Sequence, residues 1–330
     1  MNAFPVISVV FPLFNEEKSV YELIGRTVTA CKATGACFEI VTVNDGSTDG
    51  TYERLVALSK MHPEMRIIDL FRNVGHMAAL TAGIHCAKGK AVVIMDGDLQ
   101  DPPELIPRLF MQWQSGAEVV YGERTHRGEG RFQRAFSNLF YWLLSAMSDA
   151  PIPRQAGTFC LLDRRIADML NACPERQRFF AGLRAYVGGR SISVSYNRPG
   201  RKYGASRVGW RGLLRLARTA LVSFSKVPLR YASLFSLLSA FILFFTGVTA
   251  IVIRLFTDLA IPGWATFTAL IGFVGFVQSA VLAIMAEYIA VIFDETKARP
   301  LYGIRSEVCD GHLVASCMTR EEHVGQCVAV

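Results

Sequence analysis

Short apolar runs alternate with longer amphipathic stretches along the first part of the chain. The apolar runs, rich in Val and Ile, predict β-strands at Val6–Phe11, Phe38–Val43, Met65–Leu70, Ala91–Met95 and Ala117–Tyr121. Stretches with helical spacing between them predict α-helices at Glu16–Ala33, Thr51–Lys60 and Met77–Ala87. Alternation of this kind is typical of βαβ units, so we expect an α/β domain with a mostly parallel sheet.

Polar residues follow four of the predicted strands. They form the segments Pro12–Glu17, Asn44–Asp49, Asn73–His76 and Asp96–Asp101. Right-handed crossovers place the loops that follow parallel strands at one edge of the sheet, where open α/β sheets bind ligands. We therefore expect the four segments to converge on a single site.

The triplet Asp96-Gly97-Asp98 brings two carboxylates to the end of a predicted buried strand. Carboxylates at such a position suit Mg²⁺ or Mn²⁺, which take a few oxygen ligands from the protein and the others from water and diphosphate. An acidic pair at a strand end also commonly caps the next helix. The triplet alone leaves both interpretations open.

The first two strand ends carry the carboxylates Glu16 and Asp45, with Phe14 close by in sequence. Carboxylates accept hydrogen bonds from base N–H groups or ribose hydroxyls, and an aromatic ring offers a stacking face, so a nucleotide suits this edge. For Asn44, Asp45 and Ser47 the alternative is a local role in a turn or a helix cap. The sequence has no GxGxxG and no Walker pattern, which argues against a dinucleotide cofactor and P-loop chemistry.

Two long stretches without charged residues lie at positions 231–253 and 259–286. Each is longer than the roughly 20 residues that cross a bilayer core, and the short turn between them predicts a transmembrane hairpin. A buried core helix is the alternative. Basic residues crowd before the first stretch and after the second, so we expect both chain ends on the cytoplasmic side.

Basic residues are unevenly distributed. Lys and Arg outnumber Asp and Glu by 35 to 28, and the excess is concentrated after Arg184. Such a stretch attracts phosphate, in a nucleic acid, a nucleotide or an anionic lipid. Within it, Arg211, Arg215 and Arg218 share one face of a predicted helix whose other face is apolar. This pattern predicts an interfacial amphipathic helix, with an ordinary surface helix as the alternative.

The cysteines show no CxxC pair, and those of the first half of the chain are predicted to be reduced cytosolic thiols. The N-terminus runs directly into a predicted strand, so no cleavable signal is expected. The final segment favours a mobile or subunit-swapped tail over a zinc site, because no common zinc finger has the spacing of Cys309, His312, Cys317, His323 and Cys327.

Several short motifs occur along the chain in a fixed order. The first are Phe14-Asn15-Glu16-Glu17, Asn44 to Thr51, Arg72-Asn73-Val74-Gly75 and Asp96 to Glu104. Others are Gly122-Glu123-Arg124, Gly157 to Arg164, Arg178 to Leu183, Arg201 to Arg207, Glu287-Tyr288 and Lys297 to Tyr302. This set, spanning about Val6 to Tyr302, resembles family 2 glycosyltransferases of the GT-A fold. It is most similar to polyisoprenyl-phosphate glycosyltransferases, which include dolichol-phosphate mannose synthases and bactoprenol (undecaprenyl-phosphate) glycosyltransferases.

The resemblance implies roles for individual residues. The nucleotide-sugar pocket would be lined by Pro12, Phe14, Glu16, Val43, Asp45, Gly75, Asp96 and Gly97. The metal, Mg²⁺ or Mn²⁺, would be held by Asp96, Asp98 and Gln100. The catalytic set would be Asp98, Arg124, Thr158 and Arg201. The lipid phosphate would contact Arg134, Arg201, Ser206 and Arg207.

The resemblance also implies a reaction and a setting. One sugar would pass with inversion from a nucleotide-sugar, UDP being favoured over GDP, to a polyprenyl phosphate such as undecaprenyl phosphate. The absence of the Gln-x-x-Arg-Trp motif found in polymer-building relatives favours single transfer. The enzyme would be a homotetramer in the bacterial inner membrane, in contact with membrane lipids and with no nucleic acid partner.

The expected organisation is a cytosolic GT-A domain with a Rossmann-like, mostly parallel sheet, followed by membrane elements. The GT-A domain would span 1–205 and the interfacial amphipathic helix 206–230. The transmembrane hairpin would comprise 231–256 and 259–290, and a cytoplasmic tail would span 291–330.

Three residues depart from the family pattern. Thr158 stands where many relatives carry Asp, which puts a general base there in doubt, although a phosphate monoester with a second pKa of about 6 needs little deprotonation. Gly97 replaces a common Ala and is expected to ease backbone approach to the sugar diphosphate. Arg207 replaces a usual Lys, which alters phosphate geometry. Alternatives are a membrane-tethered binding module without catalysis, a membrane nucleotidyltransferase and a GDP-mannose-using synthase.

Overall fold

The computed structural model describes residues 5–124, 156–176, 178, 180–197, 227–256 and 263–314. The chain divides into two compact units. The first contains the sheet, including residues 298–314 from the C-terminal part, and the second contains two long helices between 227 and 297. The predicted interfacial helix and the tail from 315 lie outside the described residues, apart from the last few helix positions.

The strands of the first unit are β1 (Ile7–Leu13), β2 (Phe38–Asn44), β3 (Met65–Leu70), β4 (Ala91–Ile94), β5 (Val119–Arg124), β6 (Ala156–Asp163), β7 (Ser191–Tyr196), β8 (Ile304–Cys309) and β9 (His312–Val314). Its helices are α1 (Val20–Lys32), α2 (Thr51–Ser59), α3 (His76–Cys86), α4 (Ile106–Gln114), α5 (Arg164–Ala172) and α6 (Phe180–Val187). A 3₁₀ turn, Pro103–Leu105, precedes α4. The five predicted strands and three predicted helices are therefore all present, with ends displaced by a few residues.

The strands form one sheet in the order β7-β5-β6-β4-β1-β2-β3-β8-β9. Parallel pairing joins β4, β1, β2 and β3, whereas β6 lies antiparallel between β4 and β5. β5 and β7 also pair in parallel, whereas β8 lies antiparallel between β3 and β9. The described sheet is thus mixed, with as many antiparallel as parallel pairings, and not mostly parallel as predicted. Hydrophobic periodicity predicts where strands lie, but the partner of each strand depends on contacts between distant segments.

The central strands are buried because helices cover the sheet. Every residue of β1 and β4 is buried, as expected for a parallel sheet covered by βαβ crossovers. One face of α1 packs into this core through positions spaced three or four apart: Val20, Leu23, Ile24, Thr27, Val28 and Cys31. The core thereby holds the carboxyl ends of β1 and β4 in neighbouring positions.

A buried ion cluster ties the C-terminal segment to the sheet. The Arg66 guanidinium on β3 lies 2.8 Å from Glu39 of β2 and 2.6 Å from Glu307 of β8. Ser8 of β1 donates to the second Glu39 oxygen at 2.6 Å. Burial lowers the pKa of Arg66, but the two carboxylates raise it above its ordinary value, so the cation is retained. The segment expected as a tail thus supplies an edge strand and a buried counter-charge.

The second unit contains α7 (Val227–Phe256) and α8 (Trp264–Thr296), which contact each other. Within the described residues, one stretch, Leu270–Thr296, is long and apolar enough to cross a membrane, and apart from Val274 its residues are at least partly exposed. The apolar stretch Tyr231–Thr246 in α7 is shorter. The structure therefore provides one candidate span where the sequence predicted a hairpin of two.

The described cysteines differ in state. Cys31, Cys37, Cys160, Cys173 and Cys309 are free thiols, whereas Cys86, at the end of α3, is disulfide-bonded. The prediction of reduced thiols is therefore wrong for Cys86, because spacing along the chain does not show which sulfur atoms meet in space.

Candidate active site

A cleft of about 370 Å³ opens where β1, β2, β3 and β4 end, a volume suited to a small ligand. All four predicted loop segments contribute to it, so their predicted convergence is confirmed. The lining residues are Pro12, Leu13, Phe14, Glu16, Asp45, Asn73, Gly75, His76, Asp96, Gly97 and Asp98.

Hydrogen bonds hold the loops after β1 and β2 together. The Asn15 N–H donates to Ser47 Oγ at 3.1 Å, and the Thr48 N–H donates to Asn15 Oδ1 at 2.8 Å. The Glu16 N–H donates to Thr51 Oγ1 at 2.9 Å. Asn15 adopts a left-handed backbone conformation with φ of 54°, which Asn tolerates better than most residues. These contacts fix the wall of the cleft that carries Phe14 and Glu16.

Asp45 supports the loop after β3. Its two carboxylate oxygens accept from the Val74 N–H at 2.7 Å and from the Gly75 N–H at 3.0 Å. Burial raises the pKa of the Asp45 carboxyl above its ordinary value, although both N–H groups favour its charged form. Gly46 is required beside it, because its φ is +64° and a Cβ would lie 2.5 Å from the Asn73 nitrogen.

The side chains of Thr158 and His76, which lie on different elements, contact Asp96. Its Oδ1 accepts from the Thr158 hydroxyl of β6 at 3.1 Å and lies 2.9 Å from His76 Nε2 at the start of α3. Burial lowers the pKa of His76, but the hydrogen bond to Asp96 and the charges of Asp96, Asp45 and Asp98 raise it above its usual value. His76 and Thr158 therefore hold one Asp96 oxygen in a defined position.

Asp96, Gly97 and Asp98 together form the acidic wall of the cleft. Asp98 is buried to 9% exposure, and its Oδ1 accepts from the Gln100 N–H at 3.1 Å. A Cβ at Gly97 would lie 2.2 Å from Leu13 Cδ2. The absence of a side chain at 97 thus lets the acidic triplet lie against the end of β1, a packing reason that the sequence did not reveal.

Two predicted site residues, Val43 and Gln100, are not among those that line the cleft. Val43 is fully buried, with its Cγ2 facing Gly83 of α3, and Gln100 is outside the cleft lining. Arg124 is the last residue of β5 and pairs there with Tyr196 of β7. The lipid-phosphate residues fall outside the described part of the chain: Arg134, Arg201, Ser206 and Arg207.

Three lining residues were not among the predicted site residues: Leu13, Asn73 and His76. Of the three, His76 was the easiest to predict from the sequence, because it directly follows Gly75 and belongs to a loop expected at this edge of the sheet. Its contact with Asp96 was not predictable, because it depends on how α3 starts relative to β4.

The carboxylate oxygens of the cleft suit a divalent cation that is bound partly by the protein and partly by a ligand. The described residues include no group of three or more His, Cys, Asp or Glu side chains arranged to hold a metal ion by themselves. However, Mg²⁺ is commonly held by one or two carboxylates together with substrate phosphates, and Asp96 and Asp98 both line the cleft. The residues fit a divalent ion whose remaining ligands come from a bound diphosphate or water.

Comparisons with known proteins identify relatives across most of the chain. Residues 8–170 match the family described as glycosyl transferase family 2. An uncharacterized glycosyltransferase, YkcC of Bacillus subtilis, is 38% identical over 89% of this chain and 92% of its own length. The bactoprenol glucosyl transferase of Shigella phage SfX is 37% identical over 91% of this chain and 99% of its own.

A more distant relative is an undecaprenyl-phosphate 4-deoxy-4-formamido-L-arabinose transferase of Salmonella paratyphi B. It is 30% identical over 96% of this chain and 97% of its own length. Among solved structures, the glucosyl-3-phosphoglycerate synthase of Mycobacterium tuberculosis in complex with UDP aligns with a TM-score of 0.45 and 18% identity. That alignment covers 66% of this chain and 79% of the synthase.

Proposed function

Since the chain belongs to glycosyltransferase family 2, in the group of polyisoprenyl-phosphate glycosyltransferases, we propose that it transfers one sugar from a UDP-sugar to undecaprenyl phosphate. The relatives named for bactoprenol and undecaprenyl-phosphate transfer support this acceptor. The observation that carries the proposal is the cleft itself, where the acidic pair Asp96 and Asp98 faces Phe14, Glu16 and Asp45.

The two halves of the cleft suit the two halves of a nucleotide-sugar. Phe14 offers a stacking face and Glu16 offers an acceptor for base or ribose groups. Asp45 contributes by holding the Val74 and Gly75 amides in place. A Cβ at Gly75 would meet nothing within 4 Å, so this backbone borders open space in which a ligand fits. We assign the nucleotide to this half.

Asp96 and Asp98 are the residues that would hold Mg²⁺ or Mn²⁺. When bound, the ion supplies neutralisation of the charge on the departing diphosphate. Asp98 is nearly buried, so water screens its charge less than on the surface. His76 and Thr158 orient the Asp96 carboxylate from two sides.

The proposed reaction is an inverting displacement. An oxygen of the lipid phosphate attacks the anomeric carbon, and the bond from that carbon to the diphosphate oxygen breaks. The nucleoside diphosphate leaves with the electron pair. The acceptor is largely dianionic at neutral pH because the second pKa of a phosphate monoester is about 6. A general base is therefore not required, and the role of the protein is positioning and charge stabilisation.

Thr158 acts in this scheme through Asp96 and not as a base. Replacing Thr158 by Val removes the hydroxyl that donates to Asp96 Oδ1 but keeps the shape of the side chain. We expect a decrease of about tenfold in kcat/KM for sugar transfer, because one orienting hydrogen bond to a charged group is lost. The measurement is the rate of lipid-linked product formation in membranes with saturating acceptor.

Thr158→Ser is the matched control, since it retains the hydroxyl, and it is expected to remain within about threefold of the wild type. A Val variant as active as the Ser variant would show that the hydroxyl has no role in positioning Asp96.

The cellular setting is part of the proposal. The apolar stretch Leu270–Thr296, in which most residues are exposed, supports membrane attachment of α8. We propose a second span in α7 and an inner-membrane protein with both termini in the cytoplasm, in line with the basic residues that flank the two helices. The same proposal includes assembly as a homotetramer and an amphipathic helix at 206–230. It also includes contacts with phosphate groups from five residues: Arg124, Arg134, Arg201, Ser206 and Arg207.

A donor panel tests the reaction directly. Membranes containing the protein, supplied with Mg²⁺ or Mn²⁺ and undecaprenyl phosphate, are incubated with labelled UDP- and GDP-sugars. We expect label from one UDP-sugar to enter the lipid fraction, and addition of EDTA to stop the transfer. Donor binding without lipid-linked product from any sugar would refute the catalytic proposal and favour the binding-module alternative. Product from GDP-mannose alone would instead favour the mannose synthase.

A further inference from the structure

A line of polar contacts runs from β8, in the C-terminal segment, to the cleft. Resting on the proposed function, we infer that Arg305 and Asp69 are positioning residues for the nucleotide half of the donor site. Neither residue lines the cleft. They act through Asn44 and through the loop that follows β3.

The position of Arg305 depends on an irregularity in the strand pairing. Asp69 of β3 pairs with Ser306 of β8, whereas the next residue, Leu70, pairs with Ile304. Arg305 is thus the extra residue of a β-bulge. Bulges redirect side chains and are frequent near active sites. Here the bulge lets Arg305 reach two groups of β3 and of the loop after it.

The first group is the carboxylate of Asp69. Arg305 Nη1 lies 3.4 Å from Asp69 Oδ2, while the other oxygen, Oδ1, accepts from Asn44 Nδ2 at 2.7 Å. Asp69 is buried to 3% exposure, whereas the Arg305 side chain is about half exposed. A buried carboxylate needs partners in order to stay charged, and these two residues provide them.

Asn44 carries this arrangement into the turn that contains Asp45. Its Oδ1 accepts from the Ser47 N–H at 3.2 Å, and Ser47 Oγ accepts from the Asn15 N–H of the loop after β1. The side chain of Asn44 is therefore fixed between Asp69 and the turn. Since Asp45 follows Asn44 directly, the direction of the Asp45 carboxylate depends on this fixation.

The second group is a backbone oxygen. Arg305 Nη2 donates to the Phe71 carbonyl at 2.7 Å, at the start of the loop that leads to Val74 and Gly75. The Gly303 carbonyl accepts from the Phe71 N–H at 3.1 Å, so both polar backbone groups of Phe71 are bound by the C-terminal segment. Arg305 therefore reaches the cleft by two routes. One runs through Asp69 and Asn44 to the turn that contains Asp45, and the other runs through the Phe71 carbonyl to the loop that contains Val74 and Gly75.

This arrangement makes the segment after α8 part of the donor site without direct contact to the donor. Removing the guanidinium is expected to loosen the turn 44–47 and the loop 71–75, and to weaken nucleotide binding. The chemical step, which the acidic wall serves, is expected to stay nearly unchanged once the donor is bound.

The test uses the full chain with Arg305→Ala. We expect the KM for the UDP-sugar to rise about five- to tenfold while kcat at saturating donor stays within about twofold. Hydrogen exchange of the amides in 44–47 and 71–75 should become faster, with α4 unchanged. Arg305→Lys keeps the positive charge but loses the planar, two-pronged guanidinium group. Its KM for the UDP-sugar is expected to lie between those of the wild type and Arg305→Ala.

Arg165→Ala is the matched control, because Arg165 is an exposed arginine paired with Asp163 and Glu118. It should leave KM and hydrogen exchange unchanged. An unchanged KM in Arg305→Ala would overturn the inference. The inference would also be overturned if Arg305→Ala lowered both kcat and the melting temperature and made hydrogen exchange faster throughout the sheet. That result would show that Arg305 has a general structural role.

Failure of the proposed function is a separate result. If the wild type forms no lipid-linked sugar, titration of UDP in the presence of Mg²⁺ still compares the wild type with Arg305→Ala. Weaker UDP binding by the variant supports the inference. Equal binding, or no UDP binding by the wild type, overturns it.

Discussion

Replacement of Asp98 by Asn is expected to reduce sugar transfer at least about a thousandfold, with little change in stability. Asp98 lines the cleft, is nearly buried and directly follows Gly97, which packs against Leu13. An amide keeps the shape of the side chain and still accepts from the Gln100 N–H, so the local turn survives. It removes the negative charge that would hold the divalent ion against the departing diphosphate. The rate of lipid-linked product formation measures the effect.

Asp98→Ala is expected to abolish transfer in the same assay, and Asp168→Asn provides the control. Asp168 is an exposed carboxylate on α5 that pairs with Arg164, and its replacement should leave the rate unchanged. If Asp98→Asn kept more than a tenth of the wild-type rate, the assignment of Asp98 to the metal would be wrong.

Replacement of Arg66 by Ala is expected to destabilise the sheet unit by about 3–5 kcal/mol, because Glu39 and Glu307 would remain buried without their cation. Both carboxylates lie within 2.8 Å of the guanidinium, which also donates to the Cys86 carbonyl. The effect is measured as a lower unfolding temperature of the purified full-length protein. Loosening of β8 from its pairing with β3 should accompany it, seen as faster hydrogen exchange in 304–309.

A triple variant separates charge from packing. Arg66→Met combined with Glu39→Gln and Glu307→Gln removes all three charges and should recover much of the lost stability. The control Arg26→Ala removes a more exposed arginine that pairs with Glu22 and Glu104, at an expected cost below about 1 kcal/mol. An Arg66→Ala variant that unfolds at the wild-type temperature would contradict the prediction.

Much of the candidate site follows from local patterns. The apolar runs and the polar residues after them place Phe14, Glu16, Asp45 and Asp96 at one edge, because right-handed βαβ units put those strand ends together. The structure brings the same residues into one cleft. Such a prediction works because each residue lies within a few positions of a strand that the hydrophobic pattern already identifies.

Other parts of the site depend on distant segments of chain. Thr158 reaches Asp96 because β6 returns antiparallel beside β4, and Arg305 reaches Asp69 because β8 pairs with β3 through a bulge. Neither pairing leaves a local pattern in the sequence. Gly97 is a further example, because the reason for a glycine there is its close approach to Leu13 at the end of the neighbouring strand β1.

The sequence by itself determined the family, the βαβ core and the acidic and polar residues at its edge. These properties follow from side-chain chemistry and from short-range periodicity. The tertiary structure decided the mixed order of the sheet, the orientation of Asp96 by His76 and Thr158, and the return of the C-terminal strand beside β3. The physical reason is that strand partners and buried counter-charges are selected by packing between segments far apart in the chain, and the free energy of those contacts is not contained in any single segment.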